Sequence, residues 1–432
     1  MRFLRFPTEN RRTWIAAAAL AVVAIIVVGV AIYEVTKPKN VSNPNIAFVN
    51  TSTDTTSTST KTATPKALHN FVWALYGLND QRTRDFQGPA DLKPPFKVGW
   101  SLGGNAPVEF PPVVDGNALY FMDDNSTVNK VNAKTGKRYW RTRVGMLSAA
   151  TPALDVKDKL LFVPILSTTG DSIGSVNGEF VAMSMKKGTI KWKFPVPSGT
   201  ESSPIVWGNN VYFGDQGGTV YDLNVNTGKV VWSFPTGGAE KGGPTLDHGV
   251  LFFGNYAGQL FAVNATTGKE IWESNVSGGT IYASPTVAFD RVYVGSTNGF
   301  FYSFSEKTGA LAWSINTGRY VYSSAAAVPN VPGLGPTIFF GSYNGTAYAV
   351  NAQNGNVDWT HSIGDSISGA ASIVNNVVYF SGVYHGITQG LNLTNGDVVF
   401  HFSDGAYTAT IATPRAVYLC GHYRLYELLP EH

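Results

Sequence analysis

The sequence predicts an all-β fold, an eight-bladed β-propeller of four-stranded antiparallel blades. Three observations predict it. The first is a metronomic aromatic: Trp100, Trp140, Trp192, Trp232, Trp272, Trp313 and Trp359, with Phe400 at the next beat, at intervals of 40, 52, 40, 40, 41, 46 and 41 by subtraction. A period near 40 residues marks one supersecondary unit copied around a ring. The second is a glycine four residues before seven of these eight marks: Gly136, Gly188, Gly228, Gly268, Gly309, Gly355 and Gly396. The third is that each copy holds four short runs with apolar residues two apart, as in Tyr221 with Leu223 and Phe261 with Val263. That is the period of a strand with one buried face.

Turn residues separate the runs, for example Asn209-Asn210, Gly217-Gly218 and Asn226-Thr227-Gly228. They supply the positive backbone angles of tight hairpins. Four hairpin-connected strands in about 40 residues describe a propeller blade. The aromatic falls in the fourth strand, where its flat ring fills the space between adjacent sheets.

Seven copies are complete. The residues after Phe400 supply three strands and no fourth, and FKVGWSLGG at 96–104 is a lone fourth strand with nothing ahead of it. The two fragments complement each other, so the strand around Trp100 is expected to close the last blade and remove an open sheet edge. The propeller then spans 96–432. The insertions at 165–179 and 328–336 are expected to bulge from hairpins.

Ahead of the ring the chain divides into four parts. Residues 1–13 are a basic tail with four Arg and one Glu. Residues 14–33 are 20 apolar residues without a charge, and a helix of that length reaches about 30 Å, the hydrocarbon thickness. They are read as a retained transmembrane anchor, with a cleaved signal peptide as the competing reading. The more positive flank stays cytoplasmic and the propeller is placed outside the cytoplasm. Residues 34–68 are a Ser/Thr-rich disordered linker with too few apolar groups to build a core. Residues 69–95 are a lead-in segment expected to pack on the rim of the ring.

The net charge of the whole chain is +3, and residues 1–13 account for it. The remainder is near neutral, which excludes the basic surface that nucleic acid requires. A single cysteine, Cys420, leaves no internal disulfide. The histidines are scattered without ligand spacing, so no metal site is expected, and no phosphate loop or nucleophile elbow is present.

The repeat also locates the channel. The residue nine after each aromatic mark should enter the next innermost strand. That phase gives Glu109, Ala149, Glu201, Lys241, Ile281, Tyr322 and Ser368, a set that is not uniformly polar; Glu109, Glu201, Lys241 and Tyr322, with Tyr282 and Tyr407 from the same stretches, are expected to ring one mouth of the channel, where aromatics and paired charges suit a sugar or peptide ligand. Small neighbours such as Gly242-Gly243 and Gly369-Ala370 suit the crowded axis.

The strings NAKTGKRYW (132–140), NATTGKEIW (264–272) and NVNTGKVVW (224–232), with the lead-in WALYGLNDQRTR, resemble the tryptophan-docking repeat of the pyrroloquinoline-quinone-type propellers. The resemblance covers about residues 70–430. It implies that Gly228, Trp232, Gly268 and Trp272 lock blade to blade. Some members of that family are dehydrogenases holding the quinone with Ca²⁺. Others, such as the lipoprotein of the outer-membrane barrel-assembly complex, are scaffolds without a cofactor. The dehydrogenases are usually longer, and many carry a vicinal cysteine pair that this chain lacks. The expectation is therefore a membrane-anchored, extracytoplasmic, non-catalytic module that binds a protein or an envelope polymer, with no catalytic residue and no cofactor. A quinone-dependent oxidoreductase is the alternative, and an extracytoplasmic ligand sensor the second.

Overall fold

A computed structural model describes residues 22–24, 39–49, 71–169, 177–408 and 410–431. Eight antiparallel sheets follow one another in chain order. In the third, the strands are Ile205–Trp207, Asn210–Gly214, Thr219–Asn224 and Val230–Pro235, paired in sequence. The innermost strands are short and buried, as Thr245–Asp247 is throughout. The fourth strands alternate exposed and half-buried positions, as expected of the outer edge. The repeated Asn-x-x-Thr-Gly turn has a local cause. The side-chain oxygen of Asn264 accepts the backbone N–H groups of Thr266 (3.1 Å) and Thr267 (2.9 Å), and Gly268 then takes a φ of +66°.

The ring closes as the sequence predicts. Phe96–Gly103 pairs antiparallel with Arg424–Pro430 and completes the eighth blade. All eight blades share one irregularity that the repeat pattern did not disclose. A bulge falls at the residue just before the aromatic mark, as at Val231, where Trp232 faces Asp222 and Val230 faces Leu223. The same shift recurs in the seven other blades. The extra residue turns the strand so that the indole leaves its own sheet and meets the next one.

The docking contact is explicit. Each indole N–H donates to a backbone carbonyl of the following blade: Trp100 to Ala133 (3.1 Å), Trp140 to Met185 (3.2 Å), Trp192 to Val225 (2.8 Å) and Trp232 to Ala265 (2.9 Å). Trp272 reaches Glu306 (2.8 Å), Trp313 reaches Ala352 (3.0 Å) and Trp359 reaches Leu393 (2.8 Å). The ring lies on the glycine of that next blade. A Cβ on Gly136, Gly228 or Gly268 would stand 2.8, 2.6 or 2.7 Å from Trp100, Trp192 or Trp232. The seam between the seventh and eighth blades lacks this pair. There Phe96 stands where other blades carry glycine, and Phe400 replaces the indole; the two rings meet edge-on at 5.5 Å. A larger residue on one side is matched by a smaller one on the other.

The lead-in departs from expectation. It does not lie on the rim but runs through the channel against the innermost strands. Val72–Trp73 pairs with the first blade. The carbonyls of Ala74, Asp80, Gln81, Thr83 and Arg84 then accept the N–H groups of Leu154, Leu246, Val287, Ala327 and Ile373. Asp85–Phe86 ends parallel to Ser372–Val374. The reason is chemical: innermost strands present unpaired edges to the channel, and buried N–H groups require acceptors.

Two buried arginines fasten this plug. Arg82 donates to the carbonyls of Tyr76, Pro244 and Ser203, and Arg84 to those of Arg82 and Ala325. Burial lowers both from the usual guanidinium range, Arg82 to about 9.

A second departure concerns Val41–Val49, within the stretch read as a disordered linker. Val41–Ser42 adds a strand to the fifth blade, and buried Arg291 donates to the carbonyls of Ala47 (2.6 Å) and Ile46 (2.7 Å). Residues 34–38 and 50–68 of that stretch, the anchor at 14–33 but for Val22–Ala24, and the tail at 1–13 lie outside the described residues. Among the described residues no helix is long and apolar enough to cross a membrane. Residues 170–176 of the insertion at 165–179 are likewise outside; the one at 328–336 forms the bulged hairpin of the sixth blade.

Candidate functional site

Six side chains expected at the mouth, four of them at the nine-residue phase, meet in one place. Glu109, Glu201, Lys241, Tyr282, Tyr322 and Tyr407 all line a single cavity of about 330 Å³ at one mouth of the channel. Each sits on the loop that leads into an innermost strand, so the eightfold pattern aims them at the axis. Gly242, Gly243 and Gly369 keep the space open. Gly243 cannot carry a side chain, since a Cβ would fall 2.0 Å from the Ser203 carbonyl oxygen. Tyr76 of the plug forms the floor, with the Arg84 guanidinium 4.8 Å from its ring centre.

The charges are unevenly matched. Lys241 is ion-paired with Glu201, and Glu201 also accepts from the Gln216 amide at 2.7 Å. Glu109 has no ion-pair partner among the described residues. Burial holds its carboxyl above the usual range, opposed by Lys241 and reinforced by Glu201. Asp124 stands beside it and is pushed up to about 8 by burial, then by Glu109 and Asp123. Next to Lys241, Glu240 is fully buried. Burial raises it well above its ordinary value, with Arg82 opposing.

The structure adds residues to the mouth that phase alone did not supply. Tyr256 stacks near Tyr282 (4.3 Å between ring centres), Tyr282 meets Tyr322 (5.0 Å), Tyr322 meets Tyr343 (5.4 Å) and Tyr343 meets Tyr384 (6.3 Å). The Tyr343 and Tyr384 hydroxyls are hydrogen-bonded to each other. This arc crosses the fourth to seventh blades. Tyr256, Tyr343 and Asp124 occupy the turn between the second and third strands. A signal was available: Asp124, Gln216 and Tyr256 each lie 24 residues after a tryptophan mark, by subtraction.

Far from the mouth, the ligating atoms of Asp247, His248 and Glu306 lie within 4.8 Å of one another, a grouping hidden from sequence spacing. Asp247 is already engaged there by Gln81 (2.8 Å) and by the His248 ring (2.8 Å). The mouth thus offers ring faces, hydroxyls and, in Glu109 and Asp124, acids that form no ion pair among the described residues: the means to bind and orient.

Comparison with known proteins follows the same line. The family model described as outer membrane protein assembly factor BamB matches residues 90–242 and 216–421. A curated relative of that description from Burkholderia pseudomallei (strain K96243) is 26% identical over 22% of this chain, and the match spans 32% of the relative's length, about a third. Among solved structures, BamB from Moraxella catarrhalis superimposes with a TM-score of 0.63 at 15% identity, covering 78% of this chain and 100% of that one. Quinohemoprotein alcohol dehydrogenase from Comamonas testosteroni does so with a TM-score of 0.64 at 14% identity, covering 83% and 80%. At such identities the structural likeness carries the fold alone.

Proposed function

The chain belongs to the outer membrane protein assembly factor BamB family, and from that premise we propose that it is a non-catalytic scaffold whose channel mouth holds a segment of a partner protein. The observation that carries the reading is convergence at one end and closure inside. Six polar and aromatic side chains meet in the mouth cavity, while the lead-in fills the channel behind them. A plugged channel with an open, aromatic mouth is a docking surface. Aromatic side chains offer large contact area at small entropic cost. In this reading the apolar run at 14–33 anchors the protein, and the propeller works outside the cytoplasm.

The quinone-dependent reading draws on the fold shared with the alcohol dehydrogenase. A quinone bearing several carboxylates needs cations around it. The charged groups lining the mouth cavity are Lys241, already paired with Glu201, and the two acids Glu109 and Glu201. Cys420 is buried, donates to the Phe110 carbonyl at 3.5 Å, and is held up to about 12 by burial. These residues do not fit the group.

The test is co-purification from native membranes with the wild type and with Tyr282→Ala/Tyr322→Ala. The proposal expects a defined partner that is lost from the double variant while circular dichroism and melting stay near wild type. Retention of the same partner by the folded variant contradicts it.

A further inference from the structure

The mouth is asymmetric, and the asymmetry specifies what fits it. One side is the tyrosine arc from Tyr256 to Tyr384, with successive ring centres 4.3 to 6.3 Å apart. In an extended chain, residues on one face recur every two positions, about 6.6 Å. The arc offers a row of ring faces along which an extended segment can lay successive side chains, its longest step of 6.3 Å approaching that repeat. One of its rings, Tyr384, stands well into solvent at 62% exposure, as does the neighbouring Tyr320 at 46%.

The other side is acidic. Glu109 lines the cavity, and Asp124 and Tyr407 lie within its electrostatic reach. The cation at the mouth, Lys241, is committed to Glu201, and among the described residues neither Glu109 nor Asp124 has an ion-pair partner. Two acids that form no ion pair among the described residues, next to tyrosine faces, form a receptor for a flat cation, whose charge favours their ionised forms. A guanidinium pairs with carboxylates through its fork of donors and stacks on aromatic rings. The protein already uses that chemistry under the cavity, where Arg84 lies over Tyr76.

We propose that the mouth recognises an extended partner segment carrying an arginine, with Glu109 and Asp124 receiving the guanidinium and the tyrosine arc receiving the flanking side chains. The proposal rests on the protein-scaffold reading and deepens it by naming the chemistry of the bound segment. It assigns Asp124, Tyr256, Tyr343 and Tyr384 to the recognition surface. The opposite preference, for an acidic segment, would require Lys241 to leave Glu201.

The experiment uses the full-length protein and capped five-residue peptides that differ only at the centre: arginine, lysine, norleucine or glutamate, each flanked by proline and glycine. Binding is measured by isothermal titration calorimetry. The arginine peptide is expected to bind about tenfold more tightly than the norleucine peptide, since a charge-assisted contact is worth a factor of that order. Glu109→Gln should reduce the arginine peptide to the norleucine level while leaving norleucine binding intact, and Asp124→Asn should act in the same direction.

Equal binding of the arginine and norleucine peptides overturns the proposal. So does unchanged arginine binding in both variants, tighter binding of the glutamate peptide, or no binding of any peptide up to its solubility limit. If these outcomes arise while the Tyr282→Ala/Tyr322→Ala variant still loses its partner, the scaffold reading stands and the arginine assignment falls. If the variant keeps its partner, the scaffold reading itself falls.

Discussion

Replacing Gly268 by alanine tests the docking geometry quantitatively. The residue has a φ of +66°, and a Cβ there would sit 2.7 Å from the Trp232 ring. The left-handed backbone costs alanine roughly 1–2 kcal/mol. The clash adds to this, because carbon atoms pack best at about 3.5–4.0 Å. The ring must shift and weaken its 2.9 Å bond to Ala265, itself worth about 1 kcal/mol. The total expected is about 2–4 kcal/mol. Gly278 separates the two terms, since its φ is +73° but nothing lies within 4 Å of a Cβ. Gly278→Ala should cost only the roughly 1–2 kcal/mol backbone part. Trp232→Ala alone should cost about 3–5 kcal/mol. In the Trp232→Ala background Gly268→Ala should also fall to the backbone part, giving a coupling of about 1–2 kcal/mol. The assay is guanidinium denaturation followed by far-ultraviolet circular dichroism, with the slopes compared to check that the transition stays cooperative. Equal costs for Gly268→Ala and Gly278→Ala, or a cycle additive within about 0.5 kcal/mol, would refute the contact.

Removing residues 1–103 should leave Arg424–Pro430 as an open edge, and size-exclusion chromatography should show self-association; a monomer with the parent's melting temperature contradicts closure by Phe96–Gly103. Arg82→Leu strips three carbonyls of their buried donor and should cost about 3 kcal/mol or more in the same denaturation assay, with Arg82→Lys recovering only part. Stability should fall as pH rises from about 4 to 8. Burial pushes Asp222 up to about 7 and, with other causes smaller, Glu427 up to about 7, so the folded state keeps protons that the unfolded chain has already released. That contribution is full below the ordinary carboxylate range and lost as pH passes through 7. Asp222→Asn should flatten the pH profile of the unfolding free energy by on the order of 2 kcal/mol, and an unchanged profile would contradict the assignment.

The sequence disclosed what the repeat controls. Trp100 alone, with strand partners only at the far end of the chain, revealed the closure, and counting nine residues from each aromatic placed Glu109, Glu201, Lys241 and Tyr322 on one cavity. What escaped lies outside the repeat or in its finer geometry. The bulge before each tryptophan changes no residue type, since Val231, Ile271 and Val399 read as ordinary strand residues. The lead-in occurs once, so no phase predicts its path, and Arg82 and Arg84 look like surface residues until the channel's unsatisfied backbone is considered. Val41–Val49 docks because Arg291 needs carbonyl acceptors, a demand written some 240 residues away. Tyr256 and Tyr343 sit in polar turns, where an aromatic has no strand periodicity to expose it.

Site-specific photo-crosslinking in native membranes tests the central claim most directly. A photoreactive phenylalanine analogue replaces Tyr322 at the mouth or, in a second strain, Trp207, which is 38% exposed at the other end of an innermost strand. The account predicts a discrete cross-linked partner from position 322 and none from 207. Partner adducts from 207 with none from 322, or equal adducts from both, would contradict a docking site at the channel mouth.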